Sequence, residues 1–271
     1  MNGNWEIYDF YENGAEIGRL ERGIGKLEAM RTKELLLRWL PNSCTIYDIG
    51  GGIGYYADWL AGMGHTVTML ELAPSAVEYA KKHQTAPFTT LVGDARKLDA
   101  FQDASADAVL LLGPLYHLLN REDRLQTLRE AYRVLAPGGV LAAAGISAFS
   151  SLTWALTVYG LKNDFLDDPI YYHMVSGEVK TGEHHRPKEY PNFIAQAYFH
   201  RPEELAQEIR DTGFSVEGVF PLEGCAWLTP CFEEKWANPS SQQRLMEIIR
   251  LTENDPSLLG ISPHFLCIAK K

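Results

Sequence analysis

The chain has 271 residues, 46% of them hydrophobic, enough to bury a sizeable core in one elaborated domain. Its formal charge of -10 argues against generic affinity for nucleic acid, whose phosphates demand a basic face, and no Lys/Arg run supplies a local one. No stretch approaches the roughly 18 uninterrupted apolar residues of a membrane span, and the N-terminal residues lack the character of a secretory leader. Cys44, Cys225, Cys231 and Cys267 have neither zinc-site nor disulfide spacing, so a reduced, cytoplasmic protein is expected, monomer or homodimer, with no membrane or nucleic-acid partner.

The first clear element is KLEAMRTKELLLRWL, an amphipathic helix with Leu27, Met30, Leu35 and Leu36 on one side and Pro41 at its end. TIYDI follows as a short strand running into glycines. Then come a helix, YYADWLAGMG, and a strand, HTVTMLEL. Pro74-Ser75 opens the helix AVEYAKKH, and FTTLVGD and DAVLLLG are the third and fourth strands. The next helix, REDRLQTLREAYRVL, has Asn120 as N-cap, acids in its first turn and Leu125, Leu128, Tyr132 and Leu135 on its core face. The turn APGG leads into VLAAAGI, the fifth strand. Strands separated by helices mean βαβ units and a mostly parallel sheet, an α/β fold.

From Ser147 to Phe199 this rhythm breaks. Ten of the thirty aromatic residues fall here (Phe149, Trp154, Tyr159, Phe165, Tyr171, Tyr172, Tyr190, Phe193, Tyr198 and Phe199), as expected of an inserted cover spanning 148–197. The α/β pattern then resumes with a helix opened by Pro202 and closed by Gly213 and a strand, FSVEGVFPL. A connection containing the helix SQQRLMEIIRLT leads to the last strand, HFLCIAKK, where Cys267 reads as a buried apolar residue.

A strand ending in glycines and followed by a helix is a cradle for a nucleotide or an anion, because glycine lets a ligand approach backbone N–H groups. Two frames compete at YDIGGGIGYY. Gly52-Ile-Gly-Tyr-Tyr-Ala57 fits the dinucleotide pattern G-x-G-x-x-A, whereas Asp48-Ile-Gly50-Gly-Gly52-Ile-Gly54 reads D-x-G-x-G-x-G. Glu71 ends the second strand about 20 residues on, where an acid accepts ribose hydroxyls in either class. Val92-Gly93-Asp94-Ala95 ends the third strand with an aspartate able to accept from an adenine amino group, and Leu112-Gly113 ends the fourth.

In this order and spacing, DIGGGIG, Glu71, GDA, LLLGPLYHL and RVLAPGG resemble class I S-adenosylmethionine-dependent methyltransferases, in particular the small-molecule branch related to ubiquinone and menaquinone biosynthesis. The resemblance is close over 26–147 and loose over 198–271. It implies a Rossmann-like seven-stranded sheet of order 3-2-1-4-5-7-6 with the last strand antiparallel and helices on both faces. It also implies S-adenosyl-L-methionine as cofactor, with Asp48, Gly50, Gly51, Gly52 and Gly54 at its methionine moiety. Glu71 with Leu72 would hold the ribose, Gly93, Asp94 and Ala95 the adenine, and Leu112 with Gly113 the methionine amino group. A cationic sulfonium suits a carboxylate and aromatic rings. A pyrophosphate would favour a basic residue at the cradle, and Tyr55, Tyr56 and Asp58 stand there instead.

Methyl transfer is an in-line displacement on an already activated carbon, so the protein mainly aligns and dries the reactants. A general base is needed only for an acceptor protonated at neutral pH. His117 and His173 are the candidate bases. No metal site is expected, because His184 and His185 are adjacent and no carboxylate at ligand spacing accompanies them. The N-terminal segment is expected to fold over the cofactor, with Tyr11 touching it and Arg31 near the methionine carboxylate. The aromatic cover, at the ligand-binding edge of the sheet, points to a small apolar or aromatic methyl acceptor. The atom methylated stays open among O, N, C and S. Two rival readings are a non-catalytic binder of the cofactor or its demethylated product and a nicotinamide-dependent oxidoreductase.

Overall fold

The computed structural model describes residues 16–157, 165 and 167–271. Helix α1 (Gly25–Trp39) leads into β1 (Thr45–Ile49), α2 (Tyr55–Gly62), β2 (Thr66–Glu71), α3 (Pro74–His83), β3 (Thr89–Val92), β4 (Ala106–Leu111), α4 (Arg121–Val134) and β5 (Leu135–Ile146). The insertion carries α5 (Ser150–Ala155), α6 (Pro169–Thr181) and a two-stranded ladder of β6 (Glu183–His184) and β7 (Ala197–Tyr198). Helix α7 (Pro202–Asp211), β8 (Ser215–Pro221), α8 (Phe232–Ala237), α9 (Pro239–Thr252), α10 (Pro256–Leu259) and β9 (His264–Lys270) complete the chain.

The large sheet runs β3-β2-β1-β4-β5-β9-β8. Because β6 and β7 pair apart from it, its own seven strands follow the expected 3-2-1-4-5-7-6 order. β1 to β5 pair in parallel, and β9 is antiparallel to both β5 and β8. Alternation along the strands divides the core between the two faces. Leu141 and Ala143 of β5 with Phe265 and Cys267 of β9 meet Leu128 of α4 and Ile209 of α7. Ala142 and Ala144 with Leu266 and Ile268 share the opposite core with Leu35 and Leu36 of α1, Leu60 of α2 and Val77 of α3.

Local chemistry explains the element boundaries. The Asn120 side chain accepts from the Glu122 amide at 2.9 Å and starts α4. At the start of α7 the Arg201 amide donates to Glu204 Oε2 at 2.9 Å, the reach-back half of a capping box. Two expectations shift. Met30 is 39% exposed and the inward face of α1 carries Glu28, Arg31 and Thr32 with its leucines. The APGG turn is absorbed into β5, whose register against β4 slips between Ala106 and Ala108. Among the described residues no helix is long and apolar enough to cross a membrane.

Candidate functional site

β1 delivers Asp48 to the C-terminal edge of the sheet, and the next residues turn at once into α2. The Gly50 and Gly51 amides both reach the Leu70 carbonyl of β2, at 2.7 and 3.3 Å. A side chain at Gly51 would start 2.5 Å from Met69 Cγ and 2.8 Å from Asp48 Oδ2, so the loop presses on both. Gly52, at φ 57°, sits in the left-handed region and faces open space, with Glu16 Cγ 3.7 Å from where a Cβ would be. Its amide donates to Glu71 Oε2 at 2.9 Å, while Ala73 donates to Oε1 at 3.0 Å. Glu71 is thus tied to the cradle and keeps lone pairs on both oxygens.

Asp48 is 1% exposed, and its Oδ2 has no hydrogen-bond partner. Burial, with the nearby Glu71 charge adding to it, pushes its carboxyl up to about 7. A cavity of about 180 Å³ opens beside it, lined by Gly50, Gly51, Gly52, Ile53, Leu112 and Gly113, by Tyr55, Tyr56, Tyr79 and Tyr116, and by residues 16–21. Among the described residues its one basic lining residue, Arg19, is held by Glu16 at 2.9 Å and Glu28 at 2.7 Å. An unsatisfied buried carboxylate, aromatic rings and open backbone suit a cationic sulfonium nucleotide and give a pyrophosphate no counter-charge.

Six of the expected cofactor residues, Asp48, Gly50, Gly51, Gly52, Leu112 and Gly113, line this cavity. Gly54 is the left-handed N-cap of α2 and packs behind the loop against Phe88 and Ala80. Glu71, Leu72, Gly93, Asp94 and Ala95 are outside the lining. Asp94 pairs with Arg96, which also reaches Asp123 at 2.9 Å. Arg31 needs correction. It is fully buried, pairs with Glu34 at 2.7 Å and with Glu253 of the connection after β8, and lines no part of the cavity. A buried guanidinium takes the nearest carboxylates, and α1 turns this one away from the cradle. Tyr11 lies outside the described residues.

A second cavity, of about 470 Å³, meets the first at Glu16, Arg19 and Tyr116. Its walls are largely apolar: Ile146, Trp154, Tyr171, Phe193, Ile194, Phe199 and Trp227. The aromatic insertion supplies most of them, and Tyr171 also belongs to a small core with Phe165, Met174 and Val175. Its rings therefore serve both as wall and as packing. Trp227, fully buried, is set by its indole N–H on the Ile261 carbonyl at 2.8 Å.

Neither expected base reaches this cavity. His117 is buried, and burial holds it down to about 4, but it is in the lining of neither cavity. His173 is exposed on the other side of α6, in a separate groove with His185 and Pro187. The histidines that do line the cavity are His184 and His264. His184 has Glu178 on Nδ1 at 2.6 Å and the Ile194 carbonyl on Nε2 at 3.1 Å. His264 has Nδ1 on Glu223 Oε1 at 2.7 Å and Glu28 at 3.8 Å. Sequence reasoning missed Arg19, Glu28, Glu223 and His264, which converge from segments far apart in the chain. One signal was available. In the expected topology the final antiparallel strand begins at the ligand-binding edge, so its first residue, His264, belongs beside the end of β5. Ile146 and His264 do pair there.

Residues 47–143 match the methyltransferase domain family. A ubiquinone biosynthesis O-methyltransferase of Xanthomonas axonopodis pv. citri is 26% identical over 202 residues, 73% of this chain and 74% of that protein. Its counterpart in Xanthomonas oryzae pv. oryzae is 28% identical over 177 residues, and the match spans 64% of each, a little under two thirds. A solved S-adenosylmethionine-dependent methyltransferase from Methanosarcina mazei superposes with a TM-score of 0.57 at 21% identity, covering 88% of this chain and 96% of that one. At that identity it speaks for the fold. Residues 47–143 thus carry a methyltransferase domain, and the strand order and the cradle are those expected of a class I S-adenosylmethionine-dependent methyltransferase.

Proposed function

We propose that the chain moves a methyl group from S-adenosylmethionine to a small, largely apolar or aromatic acceptor held in the larger cavity. The observation that carries this reading is the meeting of a carboxylate-bearing glycine cradle with an aromatic-walled cavity at Arg19 and Tyr116. Asp48 and the Gly50–Gly52 backbone would hold the methionine moiety, with Leu112 at its amino group. Glu71 would hold the ribose and Asp94 the adenine. The cofactor supplies an activated methyl group. The protein aligns the acceptor with it and keeps water out, and residues 148–197 serve as the acceptor's cover. The names of the Xanthomonas relatives support a small ring-bearing acceptor.

Calorimetric titration with S-adenosylhomocysteine and with NADH tests the cofactor, and product mass spectrometry over small phenols, amines and thiols tests the transfer. S-adenosylhomocysteine binding and one methylated product are expected. NADH binding alone would overturn the reading, and cofactor binding without any product would point to a sensor.

A further inference from the structure

The acceptor cavity has a polar corner in its apolar wall, and this corner narrows what the acceptor offers. His264 donates from Nδ1 to Glu223 Oε1 at 2.7 Å, because a carboxylate can only accept there. The other oxygen of Glu223 takes the Ser262 hydroxyl and the His264 amide, both at 2.9 Å, so the fully buried carboxylate cannot swing away. Nδ1 is committed, and among the described residues nothing takes Nε2, the nitrogen left for the cavity. Glu28 of α1 faces the ring from 3.8 Å and is itself held by Arg19, which stands where the two cavities meet. Glu16 and Arg22 are further charged residues in the lining. The other histidine in the wall, His184, has both nitrogens engaged.

We propose that the His264–Glu223 pair accepts the proton of a hydroxylated aromatic acceptor, so that the methyl group goes to a phenolic oxygen. This rests on the methyltransferase reading above. The O–H bond breaks and its proton goes to His264 Nε2. An oxygen electron pair forms the new O–CH3 bond, and the S–CH3 bond breaks with its pair left on the thioether sulfur. A buried carboxylate behind an imidazole fixes its tautomer and stabilises its protonated form. Burial opposes that form, yet Glu28 and Glu223 outweigh it and hold His264 up at about 9, so the base is the neutral ring, whose share grows as pH rises toward that value. A phenol loses its proton near about 10, so donor and acceptor are closely matched. A neutral amine would need no such partner.

The test compares wild type with His264→Gln and Glu223→Gln on 4-methylphenol and on 4-nitrophenol, which is already largely ionised at mildly alkaline pH. On 4-methylphenol His264→Gln is expected to lower kcat/KM by about 100-fold or more, and on 4-nitrophenol by less than about tenfold. Glu223→Gln should move the rising limb of the pH profile to lower pH. A readout independent of turnover is the visible spectrum of 4-nitrophenol bound to the S-adenosylhomocysteine complex. Wild type should hold it as phenolate below its solution pKa, and His264→Gln should not. Equal losses on both phenols, an unshifted spectrum, or turnover confined to amines or thiols would overturn the proposal. Failure of wild type to bind S-adenosylhomocysteine would instead remove the methyltransferase reading beneath it.

Discussion

Asp48 is a carboxylate placed where a solvated one would be more stable. Its unpartnered Oδ2 and its rise to about 7 share a main cause, burial without a counter-charge, to which the Glu71 charge adds. A cationic ligand supplies that counter-charge, so binding should expel the proton. S-adenosylmethionine titrated near pH 6 in buffers of different ionisation enthalpy should therefore release close to one proton. The release should fade by pH 9, and affinity should rise with pH until about 7 and then level off. Asp48→Asn should abolish the release and weaken binding about 10- to 100-fold, the range for losing a hydrogen bond to a charged group. The same variant should melt higher than wild type at pH 8 without ligand, because it removes an uncompensated buried charge. Unchanged proton release in the variant would show that another group titrates.

At the scale of elements, strands and helices with a clear period were legible, and those whose burial follows no period were not. β1 falls on TIYDI as expected, and α4 on its N-cap. The connection 223–262 was expected to hold one helix and holds α8, α9 and α10, because Trp227 and Phe232 anchor it by single large side chains rather than by a stripe. The glycine cradle was readable for the same reason, being a local loop at a strand end. The acceptor half was not, since Glu223 and His264 stand 41 positions apart. The insertion has its own small core, and one side chain ties its helix to the loop that follows. Asp168 caps α6 by accepting from the Ile170 amide at 2.8 Å, and Tyr190 donates to its other oxygen. Asp168→Ala should lower the midpoint of urea unfolding. It should raise KM for the acceptor and leave the S-adenosylhomocysteine Kd within about twofold, since α6 contributes to the larger cavity and not to the lining of the glycine cradle.

Across the whole molecule, buried titratable groups tie stability to pH with a sign fixed by each shift. His264 is held up at about 9 against an ordinary 6.5, the two glutamates outweighing burial. Its stabilisation is full below 6.5 and is lost as pH rises through about 9. Asp48, an acid raised from 3.8 to about 7, acts in the same direction, because its burial penalty accumulates as pH rises across that interval. Glu208 acts in the opposite direction at the acid end. Burial opposes its ionisation, but the His200 ring 3.5 Å away and the hydrogen-bonded Arg124 guanidinium win and hold it down at about 2, so its stabilisation is present above 4.5 and lost below. The cofactor-free protein should therefore be most stable near pH 5 and weaken steadily toward pH 9. Urea unfolding at fixed temperature across that range measures the profile. Asp48→Asn should flatten its lower half, and Glu223→Gln its upper half, since His264 then loses a neighbour that favours its proton. Saturating S-adenosylmethionine should flatten only the Asp48 half, because the ligand satisfies that carboxylate and leaves the polar corner of the acceptor cavity unchanged. A wild-type profile that is level or rising between pH 5 and 9 would mean that neither buried group carries the charge assigned to it.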